Sequence, residues 1–149
     1  MRRRDFVLLS LAALPLRAAA QEANAHIDPI DPYVWSFTKG RPVFPGRVRL
    51  ELPQIAENGH SVSMTVRVPS PMTQADHVRA IHLIAQKNPI RDMASFYLGP
   101  RAGRAEVSSR IRLNGTQRVV AIAEFSDGSF WSDAVQIEVM EAACTDGGG

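Results

Sequence analysis

The sequence predicts an all-β fold: an immunoglobulin-like antiparallel β-sandwich of about seven strands, with a short N-terminal helix or arm and a flexible C-terminal tail. Three observations predict it. Apolar and polar residues alternate repeatedly through residues 47–139, which is typical of strands with one buried face. Turn-forming pairs separate these stretches at short intervals, and helical periodicity is almost absent. The chain of 149 residues has the length of one domain.

Residues 1–20 have the three-part pattern of an export signal. A basic start with Arg3 and Arg4 leads into a short apolar run, and small residues ending at Ala20 form a cleavage site. The arginine pair favours a twin-arginine (Tat) signal, and an ordinary secretory signal is the alternative. We therefore expect an exported bacterial protein of the periplasm.

The charge of the chain changes when the signal is set aside. Residues 1–20 hold four of the 17 Lys and Arg and one of the 15 Asp and Glu, so the rest of the chain carries a net charge of −1. A nucleic-acid-binding domain needs a strong basic excess, which is missing here. The rest of the chain also lacks an apolar run of membrane-spanning length. We expect a protein that binds neither nucleic acid nor membrane.

Residues 21–46 are predicted to form an N-terminal arm, because they are rich in proline and lack strand alternation. Within the arm, DPYVWSFTKG is consistent with a short helix. Asp31 can cap this helix, Pro32 suits its first turn and Gly40 can end it. An irregular arm with buried aromatic residues is the alternative.

Residues 47–140 are predicted to form the sandwich, and seven stretches within them have strand patterns. In chain order they are RVRLEL (47–52), HSVSMTVRV (60–68), VRAIHLIAQ (78–86), ASFYL (94–98), RAEVSSRIRL (104–113), QRVVAIAEF (117–125) and FWSDAVQIEV (130–139). The third and sixth are apolar on both faces, as expected of central strands.

Glycine pairs mark several breaks between these strands. Asn58-Gly59 precedes the second strand, and Asn114-Gly115 and Asp127-Gly128 each stand between two strands. Such pairs predict hairpins with type I′ turns, in which both central residues have positive φ.

Three long stretches together resemble the SoxY family of sulfur carriers. They are LPQIAENGHSVSMTVRVPSPMT (52–73), IHLIAQKNPIRDMASFYLGPRAGRAEVSSRIRL (81–113) and TQRVVAIAEFSDGSFWS (116–132). The resemblance is collinear and covers roughly residues 48–139. It implies an immunoglobulin-like sandwich that forms a heterodimer with a second sandwich, SoxZ, and a flexible arm that carries a cysteine in the order Gly-Gly-Cys-Gly-Gly.

The resemblance also implies a carrier rather than an enzyme. A c-type haem enzyme pair would join thiosulfate to the cysteine of the arm, a hydrolase would release sulfate, and a dehydrogenase would oxidise the remaining sulfane sulfur. The protein would need no cofactor of its own beyond this covalently bound sulfur intermediate. The position that matches the sulfur-bearing cysteine is Cys144.

Residues 141–149, EAACTDGGG, are predicted to form the flexible cysteine-bearing tail. Cys144 is the only cysteine of the chain and is the predicted site of covalent sulfur attachment. A single thiol cannot form an internal disulfide, so it is either free or paired with another molecule. The residues predicted to form the flexible arm around it are Ala142, Ala143, Thr145, Asp146, Gly147 and Gly148.

The arm differs from the family pattern next to the cysteine, where alanine, threonine and aspartate replace glycine. Cys144 follows Met140 by four residues, so its reach from the strand end is roughly 13 Å at about 3.3 Å per residue. Glu141 and Asp146 flank the thiol and disfavour the thiolate, which is the reactive form. We therefore assign activation of the thiol to the partner enzymes.

Other residues with possible site chemistry have simpler interpretations. The spacing of His60, His77 and His82 matches no metal-ligand motif, so we expect no metal site. Arg110 and Arg112 are predicted to share a face with Arg104, either as a solvated surface or as a surface that attracts anions or a partner.

Two functional classes remain open from the sequence. The first is a periplasmic carrier that holds thiosulfate-derived sulfur on Cys144. The second is a non-catalytic interaction module with a carrier-like body that has lost the carrier chemistry. An enzyme is disfavoured because the sequence has no visible pairing of a nucleophile with a base, phosphate loop or metal cluster.

Overall fold

The computed structural model describes residues 32–143, and these residues form two β-sheets that face each other across an apolar core. The predicted sandwich is confirmed, with nine strands in the described part instead of about seven. One helix, α1, spans Pro32–Thr38, and a 3-10 turn spans Pro100–Ala102. The strands are β1 Val43–Pro45, β2 Arg49–Glu51, β3 Ile55–Asn58, β4 Val62–Val68, β5 Val78–Ala85, β6 Asp92–Tyr97, β7 Ala105–Ile111, β8 Gln117–Phe125 and β9 Phe130–Glu141.

The larger sheet has the order β1-β9-β8-β5-β6, and β3 also pairs with β9. The smaller sheet has the order β2-β4-β7. Most neighbours are antiparallel, as predicted, but β1 and β3 both run parallel to β9. The last strand is therefore an interior strand, with β8 on one side and β1 followed by β3 on the other.

The core lies between the two sheets and follows the predicted alternation. In β4, Val62, Met64, Val66 and Val68 are buried and the residues between them are exposed or half-buried. In β5 and β8 nearly every residue is buried, because these central strands are covered on both faces. The inner face of these two strands packs in the core between the sheets, and a helix covers their outer face, which explains why both faces are apolar.

Helix α1 forms where the sequence predicts it, and it packs on the outer face of the larger sheet. Val34 is buried there against Ile122 and Phe130 in a second, smaller apolar cluster. Phe37 of the helix stacks on the ring of His82, with 4.1 Å between ring centroids. Trp35, in contrast, remains about half exposed.

Two strands were missed by the sequence analysis. The predicted arm was said to lack a strand, but β1 lies inside it and pairs with Phe130–Ser132 of β9. Residues 55–58 were not predicted to form a strand, but they form β3. Both strands are short and pair with a strand about 80 residues away, so their own sequence carries little alternation.

The predicted turns at Asn-Gly and Asp-Gly pairs were partly wrong. Asp127-Gly128 does join the antiparallel strands β8 and β9, but only Gly128 has positive φ. Hydrogen bonds from Phe125 N to Ser129 O and from Gly128 N to Phe125 O define a three-residue loop instead of a two-residue type I′ turn. Asn114-Gly115 forms no hairpin, because β7 and β8 belong to different sheets.

Candidate functional site

The candidate site lies at the C-terminal end of β9, which leads to Cys144. Pairing with β8 ends at Ile137, and from Glu138 to Glu141 the strand is held by β3. Thr116 supports the same segment, since its hydroxyl accepts a hydrogen bond from Val139 N at 2.9 Å. The strand that carries the arm is therefore held on both sides up to Val139 and on the β3 side up to Glu141.

Beyond Glu141 the backbone is held by a three-way junction, which we call the arm root and define as Gly59, Leu113 and Ala143 with the carbonyl of Glu141. Gly59 N donates to Glu141 O at 2.7 Å, Leu113 N donates to Gly59 O at 2.9 Å, and Ala143 N donates to Leu113 O at 3.0 Å. Leu113 is fully buried and Ala143 is only 6% exposed. The backbone is thus tied to the sandwich as far as residue 143.

The arm root corrects the expected position of the flexible arm. The sequence analysis placed Ala142 and Ala143 in the flexible segment and counted its reach from Met140. In the structure Ala142 is half-buried, and Ala143 is buried and hydrogen-bonded. Cys144, Thr145, Asp146, Gly147 and Gly148 lie outside the described residues, so their predicted roles stay predictions.

Gly59 is the arm-root residue whose role the sequence analysis missed. Turn chemistry alone accounts for an Asn-Gly pair, so nothing in the local sequence distinguishes this glycine from Gly115 or Gly128. The structure does: a methyl group at Gly59 would overlap the carbonyl oxygen of Leu113, whereas the Cβ of an alanine at Gly115 would meet nothing within 4 Å.

The fold also brings two basic residues beside the arm root. His60 follows Gly59 and Arg112 precedes Leu113, and Arg112 Nη2 lies 3.5 Å from His60 Nδ1. On the outward side of β9, Met140 is exposed between Glu138 and Glu141. The acidic residues Glu141 and Asp146 are close to Cys144 in the sequence, whereas the residues that the fold places beside the arm root include the basic side chains of His60 and Arg112.

The three histidines considered as metal ligands occupy separate places. His60 lies between β3 and β4, His77 precedes β5, and His82 is inside β5. Among residues 32–143, no group of three or more His, Cys, Asp or Glu side chains is arranged to hold a metal ion. The absence of a metal site in the whole protein stays a prediction.

His82 is a core residue of the larger sheet. It is 4% exposed, its Nδ1 lies 2.7 Å from Ser95 Oγ, and its ring stacks on Phe37 of α1. Nε2 is buried without a hydrogen-bond partner. Burial lowers the pKa of His82, and the carboxylates of Glu124 and Asp92 only partly oppose that effect.

We expect the stability of the protein to fall at acidic pH because of His82. In the unfolded chain the imidazole has a pKa of about 6.5, and burial places the folded-state pKa lower. The stabilising contribution of the neutral ring is therefore complete above about pH 6.5 and is lost as the pH falls from there towards the folded-state pKa.

Urea unfolding of wild type and of His82→Phe between about pH 8 and pH 5 measures this effect. The phenylalanine keeps a ring against Phe37 but cannot be protonated, so the stability difference should shift in favour of the variant as the pH falls. If the free energies of unfolding of wild type and His82→Phe changed equally with pH, protonation of His82 would not be the cause of the loss of stability.

The arginine face is confirmed as exposed, and it borders an opening of the sandwich. Arg104, Arg110 and Arg112 are all exposed. The edges of β6 and β7 are separated there by a cavity of about 550 Å³, which Arg110 and Arg112 line together with Ile90, Met93 and Phe96. Ser109 is also exposed at this cavity.

Within residues 32–143, no helix has the length and apolar character needed to cross a bilayer. Export and periplasmic location depend on residues 1–20, which lie outside the described part. Both stay predictions.

Comparison with known proteins identifies the family. The family model described as "Sulfur oxidation protein SoxY" matches residues 36–144, which includes the whole arm root and ends at Cys144. The chain belongs to the SoxY family. The SoxY match covers all of the described sandwich, so the resemblance found in the sequence is confirmed.

A solved SoxY structure agrees with this family assignment. The sulfur carrier protein SoxY from Chlorobium limicola f thiosulfatophilum superposes with a TM-score of 0.63 at 25% identity, over 74% of this chain and 96% of that chain. No curated protein sequence matches the chain.

Superoxide reductases share the same fold as this SoxY-family chain. The enzyme (neelaredoxin) from Ignicoccus hospitalis has a TM-score of 0.58 at 16% identity, over 65% of this chain and 94% of that chain. The enzyme from Nanoarchaeum equitans has a TM-score of 0.51 at 13% identity, over 64% of this chain and the whole of that chain. At such identities the likeness concerns the sandwich alone.

Proposed function

We propose that this protein is a periplasmic sulfur carrier that holds thiosulfate-derived sulfur covalently on Cys144. The observation that carries the proposal is the extent of the SoxY match, which continues past the last strand to Cys144, the only cysteine of the chain. The arm root supports it, because a backbone fixed up to Ala143 presents the next residue at the end of the sandwich.

The loading step is an oxidation. The thiolate sulfur of Cys144 forms a bond to the terminal sulfur of thiosulfate, the thiol proton is released, and two electrons leave. The product is a cysteine S-thiosulfonate, Cys–S–S–SO₃⁻. The electron acceptor is a c-type haem enzyme, since one-electron haem centres can take the pair in two steps. The carrier supplies the thiol and its presentation, and the haem enzyme supplies the oxidant.

The later steps restore the carrier. Attack of water on the sulfonate sulfur releases sulfate and two protons and leaves a persulfide, Cys–S–S⁻, which requires a hydrolase. A dehydrogenase then oxidises the remaining sulfane sulfur to a sulfonate, Cys–S–SO₃⁻: three waters supply the oxygen, and six protons and six electrons are removed, the electrons passing to the redox centre of that enzyme. A second hydrolysis releases sulfate and one proton and returns the free thiol. Because the same cysteine visits several enzymes, a covalent carrier prevents loss of the intermediates between them.

A SoxZ-like sandwich is the proposed heterodimer partner. Membership of the SoxY family supports a partner of this kind within a sulfur-oxidation complex. The exposed aromatic residues of the N-terminal region suit partner contacts, since tyrosine and tryptophan are enriched at interfaces; Tyr33 is 37% and Trp35 is 52% exposed. Co-purification of the two chains after co-expression tests this part of the proposal.

We expect intact-mass analysis to detect the loaded carrier. After incubation with thiosulfate and the haem enzyme, wild type should gain the mass of one S–SO₃ group, located by peptide mapping on the C-terminal peptide that contains Cys144. Omission of either thiosulfate or the haem enzyme should prevent the gain. An unchanged mass in the complete mixture would refute the carrier function and favour a non-catalytic interaction module.

A further inference from the structure

The arm root is built entirely from backbone groups of three distant segments. Its hydrogen bonds link Gly59 to Glu141, Leu113 to Gly59, and Ala143 to Leu113, all between 2.7 and 3.0 Å. The side chains of Leu113 and Ala143 are buried beside these bonds. We propose that Gly59 is a positioning residue for the carrier cysteine: it lets this junction close and so fixes the point at which the arm leaves the sandwich. The proposal rests on the proposed role of Cys144.

Close approach of the backbones requires glycine at this position. The positive-φ glycines of the described chain do not include Gly59, so conformational freedom is not the reason. A methyl group at Gly59 would overlap Leu113 O and would lie 3.0 Å from Ala143 N. Both neighbours are backbone atoms in a buried place, so neither can rotate away as a flexible side chain would.

A closed junction limits the volume that the thiol can sample. While Ala143 is held, the Cα atom of Cys144 lies about 3.8 Å from that of Ala143. If the junction opened as far as Met140, the reach would grow to roughly 13 Å, and the accessible volume would grow roughly 40-fold. The effective concentration of the thiol at a docked enzyme falls as that volume grows. Gly59 therefore raises the rate of loading through placement of the thiol.

Amide hydrogen exchange tests the junction in wild type itself. The amides of Ala143 and Leu113 should be protected, because both are hydrogen-bonded and buried. Exchange of Ala143 at the rate of an unstructured peptide would overturn the proposal. This measurement needs neither a variant nor a partner enzyme.

A spin label tests the role of Gly59 directly. Cys144 is the only cysteine, so a nitroxide reagent labels that position alone. Gly59→Ala should narrow the electron-paramagnetic-resonance lines of the label and remove the protection of Ala143. The matched control is Gly99→Ala, because the Cβ of an alanine at Gly99 would meet nothing within 4 Å and this glycine also lacks positive φ. Equal line widths in wild type, control and Gly59→Ala would overturn the proposal.

A second pair of variants serves if Gly59→Ala does not fold. Ala143→Gly and Ala142→Gly add the same backbone freedom to the arm, but only the first removes a buried methyl group. Label mobility should increase more for Ala143→Gly than for Ala142→Gly. The opposite order, or no difference, would contradict a closed junction at Ala143.

Loading kinetics separate this proposal from the carrier function. With thiosulfate and the haem enzyme, the rate of sulfur loading of Gly59→Ala should be at least about fivefold lower than that of wild type, because the thiol would sample a larger volume. Its reaction with a small aromatic disulfide should stay within about twofold of wild type, since that reagent needs no docking. Equal loading rates would overturn the positioning role. Wild type could fail to load sulfur while its Ala143 amide is protected and Gly59→Ala increases the mobility of the spin label. That combination would refute the carrier function and would still support the junction.

Discussion

Replacement of Cys144 by serine is expected to abolish sulfur loading completely and to leave the sandwich intact. A serine hydroxyl has nearly the same size as the thiol, but it cannot form a sulfur–sulfur bond, and it is not ionised at neutral pH. The apolar core of the described chain is built from residues 34–143, so it does not depend on this side chain. The variant therefore tests sulfur loading on residue 144 without changing the stability of the sandwich.

The measurement is reduction of the haem enzyme by thiosulfate in the presence of the carrier. Wild type should support haem reduction by two electrons for each carrier that is loaded, and Cys144→Ser should give only the rate seen without carrier. The thermal unfolding midpoint and the binding of a SoxZ-like partner should match wild type. Haem reduction by Cys144→Ser at the wild-type rate would show that another group accepts the sulfur.

Phe125→Ala is expected to have the largest effect on stability, with a loss of roughly 3–5 kcal/mol in the free energy of unfolding. Phe125 is 1% exposed at the end of β8, and it belongs to the main core between the sheets. The guanidinium carbon of Arg47 lies 3.8 Å from the centroid of its ring, so the deletion also removes a cation–π contact. The cavity that remains would be bounded by two rigid sheets that cannot collapse into it.

Phe44→Ala is the matched control, because the same atoms are removed from a residue that is 45% exposed. Phe44 retains one notable contact, a tilted ring pair with Trp131 at 5.4 Å between centroids, worth about 1 kcal/mol. Urea denaturation of both variants should therefore give a much smaller loss for Phe44→Ala. Equal losses would mean that burial does not determine the contribution of these rings.

The main strands could be predicted from the sequence because their patterns are local. The alternation in β4 and the apolar faces of β5 and β8 follow from burial on one or both sides, and the structure reproduces them. The short helix α1 likewise starts at Pro32 and is followed by Gly40 with φ +81°. In each case the residues that carry the signal also form the element.

The remaining features depend on residues that are far apart in the chain. β3 is a strand because residues 138–141 lie beside it, and its own four residues do not determine that neighbour. Asn114-Gly115 is a good turn sequence, but whether a turn joins two strands of one sheet or connects two sheets is decided by packing. For the same reason, Gly59 can be distinguished from other glycines only when Leu113 and Ala143 are seen beside it.

The candidate site also has one part that could be predicted from the local sequence and one part that depends on distant residues. Cys144 was predicted because a cysteine is chemically distinctive and its position matches a family pattern. The arm root was not predictable, because its contacts are made by backbone atoms, which every residue has. Ala143 was assigned to a flexible arm on the basis of its place in the chain, whereas burial of its methyl group depends on the fold.

The pairing of β9 has a consequence for the order in which the protein assembles during synthesis. Of the strands in residues 32–143, β9 leaves the ribosome last, yet β1, β3 and β8 all hydrogen-bond to it. Until residues 130–141 emerge, these three strands have unpaired edges. The contacts of β1 and β3 with β9 join residues that are far apart in the chain, and such contacts form slowly. Residues 130–141 complete the sheet and the arm root. A nascent chain therefore completes its larger sheet and its arm root in a single final step.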